Sequence, residues 1–310
     1  MSDLEEDRTA SLMTPAKLAQ MQVRPRPAAS PAAWLDALAA DAGSGHVRRL
    51  LDLRGQLEAQ MRERDDAPVA EALAGLRETL RKLDFAPVEQ RGWIARLTGG
   101  KAAAAAFVAQ VDRIAQAGED LADEVRALQK RHQAGGAAAD RTVLEIGVEL
   151  RAIEKIMDQG ARWLQDMRGQ LKTRQAQGGD AAVQQQIDED TQRCELLVVR
   201  LKQLRAVSAA TQQVLERCKA LSPQRAAFLQ GLQALEDGPW KAWQRRSAPV
   251  ADEAKSRGAA SEGVERARAA QQELHAALEQ SASDCAGLRQ QEQDLAGELA
   301  ALDAPLKAAA

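Results

Sequence analysis

Tyrosine is missing from this chain, and tryptophan and phenylalanine bring the aromatic share to only 3% of 310 residues. A large globular enzyme usually fills its core with aromatic side chains. A core poor in them, built from Leu, Val, Ile and Ala, suits helices packed side by side. Cysteine is scarce as well: Cys194, Cys218 and Cys285 are odd in number and far apart. That count argues against a disulfide framework and for a reducing, cytoplasmic setting. The histidines His46, His132 and His275 are equally scattered, and none stands three or four residues from another His or a Cys. With neither H-E-x-x-H nor C-x-x-C, no metal or cofactor site is expected.

Long apolar runs are also lacking. The longest, Ala102 to Ala109, is about eight residues, against the roughly 20 that a spanning helix needs. The chain opens with Asp3, Glu5, Glu6 and Asp7, unlike a signal peptide. A net charge of −3 offers no general attraction to nucleic acid, and none is expected as a partner.

What is abundant is helix former: Ala, Gln, Glu, Leu, Arg and Lys dominate. Hydrophobic residues at 45% with 28% charged argue against wholesale disorder. Residues 1–30 read as a disordered tail, with Pro25, Pro27 and Pro31 around Arg24 and Arg26. Residues 31–100 read as short helices. The first starts at Ser30-Pro31 and carries Trp34, Leu35 and Leu38; the next carries Val47, Leu50, Arg54, Leu57 and Met61. After a break at Asp65 to Pro68, a third carries Leu73, Leu76, Leu80 and Leu83. Phe85 to Lys101 reads as irregular.

From residue 101 to about 305 the pattern becomes that of a long-helix rod. Phe107, Val111, Ile114, Gly118, Leu121, Val125 and Leu128 alternate four and three apart. Gly135 and Gly136 predict a break over Ala134 to Asp140, with Asp140 capping a second long helix whose seam runs from Val143 and Ile146 to Leu171. Gly178-Gly179-Asp180 ends it and caps a third, from Val183 to Cys218, in which Asp190, Ser208 and Thr211 are polar seam positions. Ser222-Pro223 predicts a further helix start, and Gly238-Pro239 and Pro249 bracket a tryptophan segment. A last long helix is expected from about Ala251 to Leu302. Short breaks between long helices favour antiparallel neighbours. The expected fold is therefore all-α: an elongated antiparallel bundle or coiled coil of three or four long helices, with shorter N-terminal helices.

Three features invite a chemical reading. Gly99-Gly100-Lys101 resembles a piece of a phosphate loop, but the first Gly, the following Ser or Thr and a preceding strand are all missing, so it reads as an interhelical loop. The cysteines fall on seams. There a thiol acts as a small hydrophobe, and its pKa rises rather than falls, which disfavours reactivity. Pro239 to Arg246 concentrates two tryptophans beside three cations, a combination common at interfaces. Trp240, Lys241, Trp243, Arg245 and Arg246 form the candidate interaction surface, set against a plainer reading in which the tryptophans close the bundle and the cations sit in water.

Several of these segments, in this order over roughly residues 85–305, resemble the TelA-like toxic-anion (tellurite) resistance proteins. The matching landmarks are Arg91-Gly92-Trp93 leading to Lys101, Gln110 to Ile114, Gly118 to Leu121, Arg200-Leu201-Lys202-Gln203-Leu204, Gln212 with Gln213, and Pro239-Trp240-Lys241-Ala242-Trp243-Gln244. The chain departs from the family in being Ala-rich and lacking Tyr. The resemblance implies a helical stress-resistance protein and supplies no catalytic residues. The expectation is thus a non-enzymatic protein acting through protein partners, with self-association and a membrane surface as further partners to test. The rival readings are a structural coiled-coil scaffold or membrane-surface protein with no anion role, and direct anion chemistry at the thiols.

Overall fold

The structure, a computed structural model, describes residues 42–89, 100–256 and 261–310. The N-terminal tail, the helix expected around Trp34, and Arg91-Gly92-Trp93 lie outside the described residues. Those residues are almost wholly helical and contain no strand, so the fold is an all-α helical bundle. In chain order the helices are α1 (Ser44–Arg62), α2 (Ala67–Arg81), α3 (Ala86–Glu89), α4 (Gly100–Gln177), α5 (Ala181–Leu235), α6 (Lys241–Ser256) and α7 (Ser261–Ala309). A π-helical turn, Glu236–Trp240, joins α5 to α6.

The chain forms two compact units. Of the described residues, the first takes 42–48, Arg151–Ser208 and Ala308–Ala310, and the second takes 49–89, 100–150, 209–256 and 261–307. In the first, α4 and α5 turn back on each other at Gly178, whose φ of 68° suits a residue without Cβ. Asp180 then caps α5, its Oδ1 accepting the Val183 amide at 3.0 Å, as the sequence predicts. Leu164, Met167 and Leu171 pack with Ile187, Cys194 and Leu197. A Cβ on Gly160 would stand 2.9 Å from the Leu201 side chain, so the missing side chain lets the two helices close. The expected polar seam residue Asp190 is buried and pairs with Arg174 at 3.1 Å and Arg193 at 3.0 Å.

In the second unit α1 and α2 run antiparallel to α7. Arg54 of α1 reaches Asp303 at 3.2 Å, and Gln271 of α7 donates to the Leu80 carbonyl at the end of α2 at 2.9 Å. Helix α5 meets α7 through Arg217–Glu298 at 2.7 Å and Arg225–Glu292 at 2.8 Å. The break expected at Asp65 to Pro68 is present. Pro68 stands in the first turn of α2, and Asp65 Oδ1 accepts the Ala67 amide at 2.9 Å.

Other expected breaks are absent. Helix α4 passes through Gly135 and Gly136 without interruption for 78 residues. Its buried seam keeps register across them: Leu128, His132, Gly135, Ala139 and Thr142 follow at four, three, four and three. Glycine costs a helix only about 1 kcal/mol relative to alanine, and alanine-rich neighbours and packing on both sides override that. Helix α5 likewise continues through Pro223. A proline inside a helix deletes one hydrogen bond and crowds the preceding turn, at about 3 kcal/mol, which the packed length of α5 outweighs. Helix α6 carries Pro249 and runs to Ser256, and α7 takes up the last long helix from Ser261; residues 257–260 lie outside the described residues.

The chain also stays helical through Pro239, and the π-turn shows how. Leu235 and Trp240 are both buried but five residues apart, where three or four would keep register. A π-turn absorbs the extra residue. The Lys241 amide reaches back five residues to the Glu236 carbonyl, so the face carrying Trp240, Trp243, Ser247 and Val250 points inward again.

A Cβ at Gly135 or Gly136 would meet nothing within 4 Å. Gly135→Ala and Gly136→Ala are therefore expected to stabilise the chain by about 0.5–1 kcal/mol each in urea denaturation. Destabilisation by either would mean that an interhelical turn, not a continuous helix, spans this stretch.

Candidate functional site

The Pro239 segment divides cleanly. Trp240 and Trp243 are buried, stacked with ring centroids 5.3 Å apart, while Lys241, Arg245 and Arg246 stand in solvent. Lys241 pairs with Asp237 at 2.6 Å, Arg245 donates to the Lys241 carbonyl at 3.1 Å, and Arg246 meets Glu273 at 3.5 Å. Of the candidate interaction surface, only the cations are available to a partner, and neighbouring carboxylates offset two of them.

Trp240 has a specific seat. A Cβ on Gly118 would lie 2.0 Å from its six-membered ring, so the indole occupies the room that residue 118 gives up. The space left beside it, among Leu121, Val125, Leu232 and Leu274, is about 20 Å³, enough for one water at most and lined by apolar groups that would not hold it. This is packing rather than a ligand site.

Other landmarks of the family resemblance are architectural too. Arg200, itself buried, donates to the carbonyls of Ala42 at 3.0 Å and Ala309 at 2.6 Å and so ties together the three chain segments of the first unit. Leu201 fills the notch at Gly160, and Leu204 packs over Gly43, whose φ is 76°.

All three thiols are buried and free. Burial pushes Cys218 and Cys285 up to about 11 and also raises Cys194. Near neutral pH roughly one such thiol in ten thousand is a thiolate. Among the described residues no group of three or more His, Cys, Asp or Glu is placed to hold a metal ion. The Lys101 step lies at the start of α4 and carries no phosphate-loop geometry, being helix from Gly100 onward.

What sequence reasoning missed is a polar belt across the second unit, where α1, the α1–α2 turn, α4, α5 and α7 meet. Arg64 and Asp66 are each 7% exposed. Asp66 pairs with Arg289 at 3.4 Å; Arg64 has only the Gly135 carbonyl, at a long 3.5 Å. Arg131 donates to the Asp65 carbonyl at 3.1 Å, and Gln60 to Thr142 Oγ1 at 3.1 Å. Buried nitrogens of Arg64 (Nε) and Arg225 (Nη2) have no hydrogen-bond partner. Burial and the neighbouring Arg225 charge lower the pKa of Arg64. Burial, then the cations Arg64, Arg225 and Arg131, push His132 down to about 4. Burial and Glu292 push the Asp66 carboxyl up to about 6.

Beside the belt lies a cavity of about 430 Å³, within the size range of small-molecule sites. Arg64, Arg225, Lys219 and Asp140 supply its polar lining, and Leu57, Met61, Val143 and Leu295 much of its apolar wall. Its rim includes Lys219, Ser222, Pro223 and Leu144, all exposed, Leu144 by 71%. The signal for it in the sequence was faint. Arg62 to Asp66 alternate in sign and read as a solvated helix face, which the burial of Arg64 and Asp66 corrects, and Arg225 follows an apparent helix start.

Comparison with protein-family models, curated proteins and solved structures finds no match to this chain.

Two outcomes test these contacts. Gly118→Ala drives a methyl into the Trp240 ring and is expected to cost about 1–3 kcal/mol with a red shift of tryptophan emission, partly recovered by Trp240→Leu in the double variant. No coupling between the two positions would overturn the seat described for Trp240. The second outcome concerns pH. Asp66 binds its proton more tightly when folded, so its contribution to stability falls as pH rises from about 4 to about 6. His132 binds its proton less tightly when folded, so its contribution falls as pH drops from about 6.5 to about 4. The two oppose each other. Asp66→Asn should make the chain lose more stability than wild type on acidification from pH 6.5 to 4, and His132→Gln less, each by about 1 kcal/mol after allowing for solvent screening. Denaturant midpoints at the two pH values read the difference.

Proposed function

We propose that this chain is a non-enzymatic helical stress-resistance protein, of the toxic-anion (tellurite) kind that its motifs resemble, acting in the cytoplasm through protein partners. The observation that carries this reading over direct chemistry is the burial of all three thiols with raised pKa. A thiol that reduces or captures an oxyanion has to be a thiolate and within reach.

Two further observations support binding as the mode of action. The landmarks Gly118, Arg200, Leu201, Leu204 and Trp240 build the bundle and leave its outer surface to do the work. Leu144 and Val148, one turn apart on α4, expose 71% and 54% of their surface, an apolar strip of the kind that a partner covers. Among the described residues no helix is long and apolar enough to cross a membrane. The carboxylates beside Lys241 and Arg246 reduce the attraction of that segment to an anionic lipid surface.

The test is survival of the source organism across a tellurite titration, comparing wild type, deletion, and deletion complemented with a chain in which Cys194, Cys218 and Cys285 are all Ala. The expected result is sensitivity on deletion and rescue by the cysteine-free chain. Failure of a folded, normally expressed cysteine-free chain to rescue would transfer the function to the thiols. Growth of the deletion strain like wild type at every dose would remove the tellurite reading.

A further inference from the structure

The cavity of the second unit combines features that rarely occur together without a ligand. Its walls are aliphatic, from Leu57, Met61, Val143 and Leu295, yet two arginines line it. Arg64 is buried, and its guanidinium makes one hydrogen bond among the described residues, a long one to the Gly135 carbonyl. Arg225 gives one nitrogen to Glu292 and keeps another buried without a partner. A buried polar group left unpaired costs about 1–3 kcal/mol, and more when charged. Two guanidiniums facing one space repel each other as well. Lys219 adds a third cation at the rim, itself paired with Glu216 at 3.0 Å. Asp140 is the one carboxylate in the lining; Glu292 pairs with Arg225 and Glu216 with Lys219 from outside it, so Arg64 is the lining cation without a carboxylate partner among the described residues.

We propose that this cavity binds a small amphipathic organic anion, a carboxylate with an aliphatic tail, its head group on Arg64 and Arg225 and its tail along Leu57, Met61, Val143 and Leu295. Guanidinium is the cation best matched to a carboxylate, since its planar fork donates in pairs, and both arginines line the cavity. The aliphatic wall selects against small hydrophilic anions, which would leave that wall in contact with water. The tail could belong to a free fatty acid or to a lipid, and the two sources share this chemistry. The exposed rim at Leu144, Ser222 and Pro223 is the route of entry. This assignment stands independently of the stress-resistance reading.

The experiment is calorimetric titration of the full chain with monomeric decanoate, with decanol and inorganic phosphate as controls, and with vesicles of phosphatidylserine, whose head group carries a carboxylate. The expected result is saturable one-to-one binding of decanoate, at least tenfold weaker binding of decanol, and none of phosphate. Binding by free decanoate with none by vesicles assigns the site to free acids; binding by both assigns it to lipid as well. Arg225→Gln and Arg64→Gln should each weaken decanoate at least tenfold. Because those substitutions alter a buried belt, Lys219→Glu and Leu144→Asp at the exposed rim provide a second reading and should weaken it three- to tenfold. Lys241→Glu, outside the cavity, should leave it unchanged. Absence of saturable decanoate binding, equal binding of decanol, or indifference of binding to all four cavity substitutions would overturn the proposal.

Discussion

The interior of the second unit depends on one constraint: α4 must keep a single face buried along its whole length while the side chains that meet it change from large to small and from apolar to charged. It meets this with a seam that alternates four and three and varies only in what occupies each position. At Gly118 the position is empty and an indole from the partner element fills it. At His132, Gly135 and Thr142 the position is small or polar, and Arg64 and Gln60 from the α1 side reach in. From Ile146 the seam is aliphatic again. A larger side chain at 118, or a slip of one residue anywhere along the seam, would put a bulky group against a ring or a charge against a leucine.

The π-turn serves the same constraint from the other side. Without its added residue, the helix after Pro239 would carry Ala242 and Arg246, seven and eleven residues after Leu235, onto the buried face in place of Trp243 and Ser247. Proline supplies the reason for the turn, since it cannot donate to the carbonyl four residues back. The amide of Lys241 reaching to Glu236 supplies the means. Gly118 and Trp240, on different helical segments far apart in sequence, thus become one packing unit.

The charged belt sits where the seam is least apolar, and it runs against the usual economy of a helical core. Arginine is seldom buried without a full set of partners, because desolvation of its charge is only partly offset by one or two hydrogen bonds. Here the shortfall is concentrated at Arg64 and Arg225, beside a cavity, with a histidine and a carboxyl nearby shifted in opposite directions by the same environment. Structural ion pairs would spread such shifts over matched partners. Arg64, which has no carboxylate at salt-bridge distance among the described residues, borders the open space.

Much of the fold was legible in the sequence. The alternation of Leu, Ile and Val fixed the helical class, and Gly178-Gly179-Asp180 and Asp65 to Pro68 marked real ends because a positive φ or a side-chain cap goes with them. The seam cysteines announced themselves as core residues with raised pKa. Gly135-Gly136, Pro223 and Pro239 misled, because local propensity costs of about 1–3 kcal/mol are small beside the packing of a helix that is held on both sides. The register through His132, Gly135 and Ala139 carried the correct answer, but a small residue on a seam looks the same as a break until the opposing side chain is known. The charged belt and its cavity could not be read at all. Arg64, Arg225 and Asp140 are ordinary charged residues in sequence, and only the meeting of α1, α4 and α5 buries Arg64 and partly buries Arg225 while Asp140 stays exposed. Sequence determined which faces are buried, since that depends on period alone; tertiary structure decided which charges are buried with them, since that depends on what each face meets.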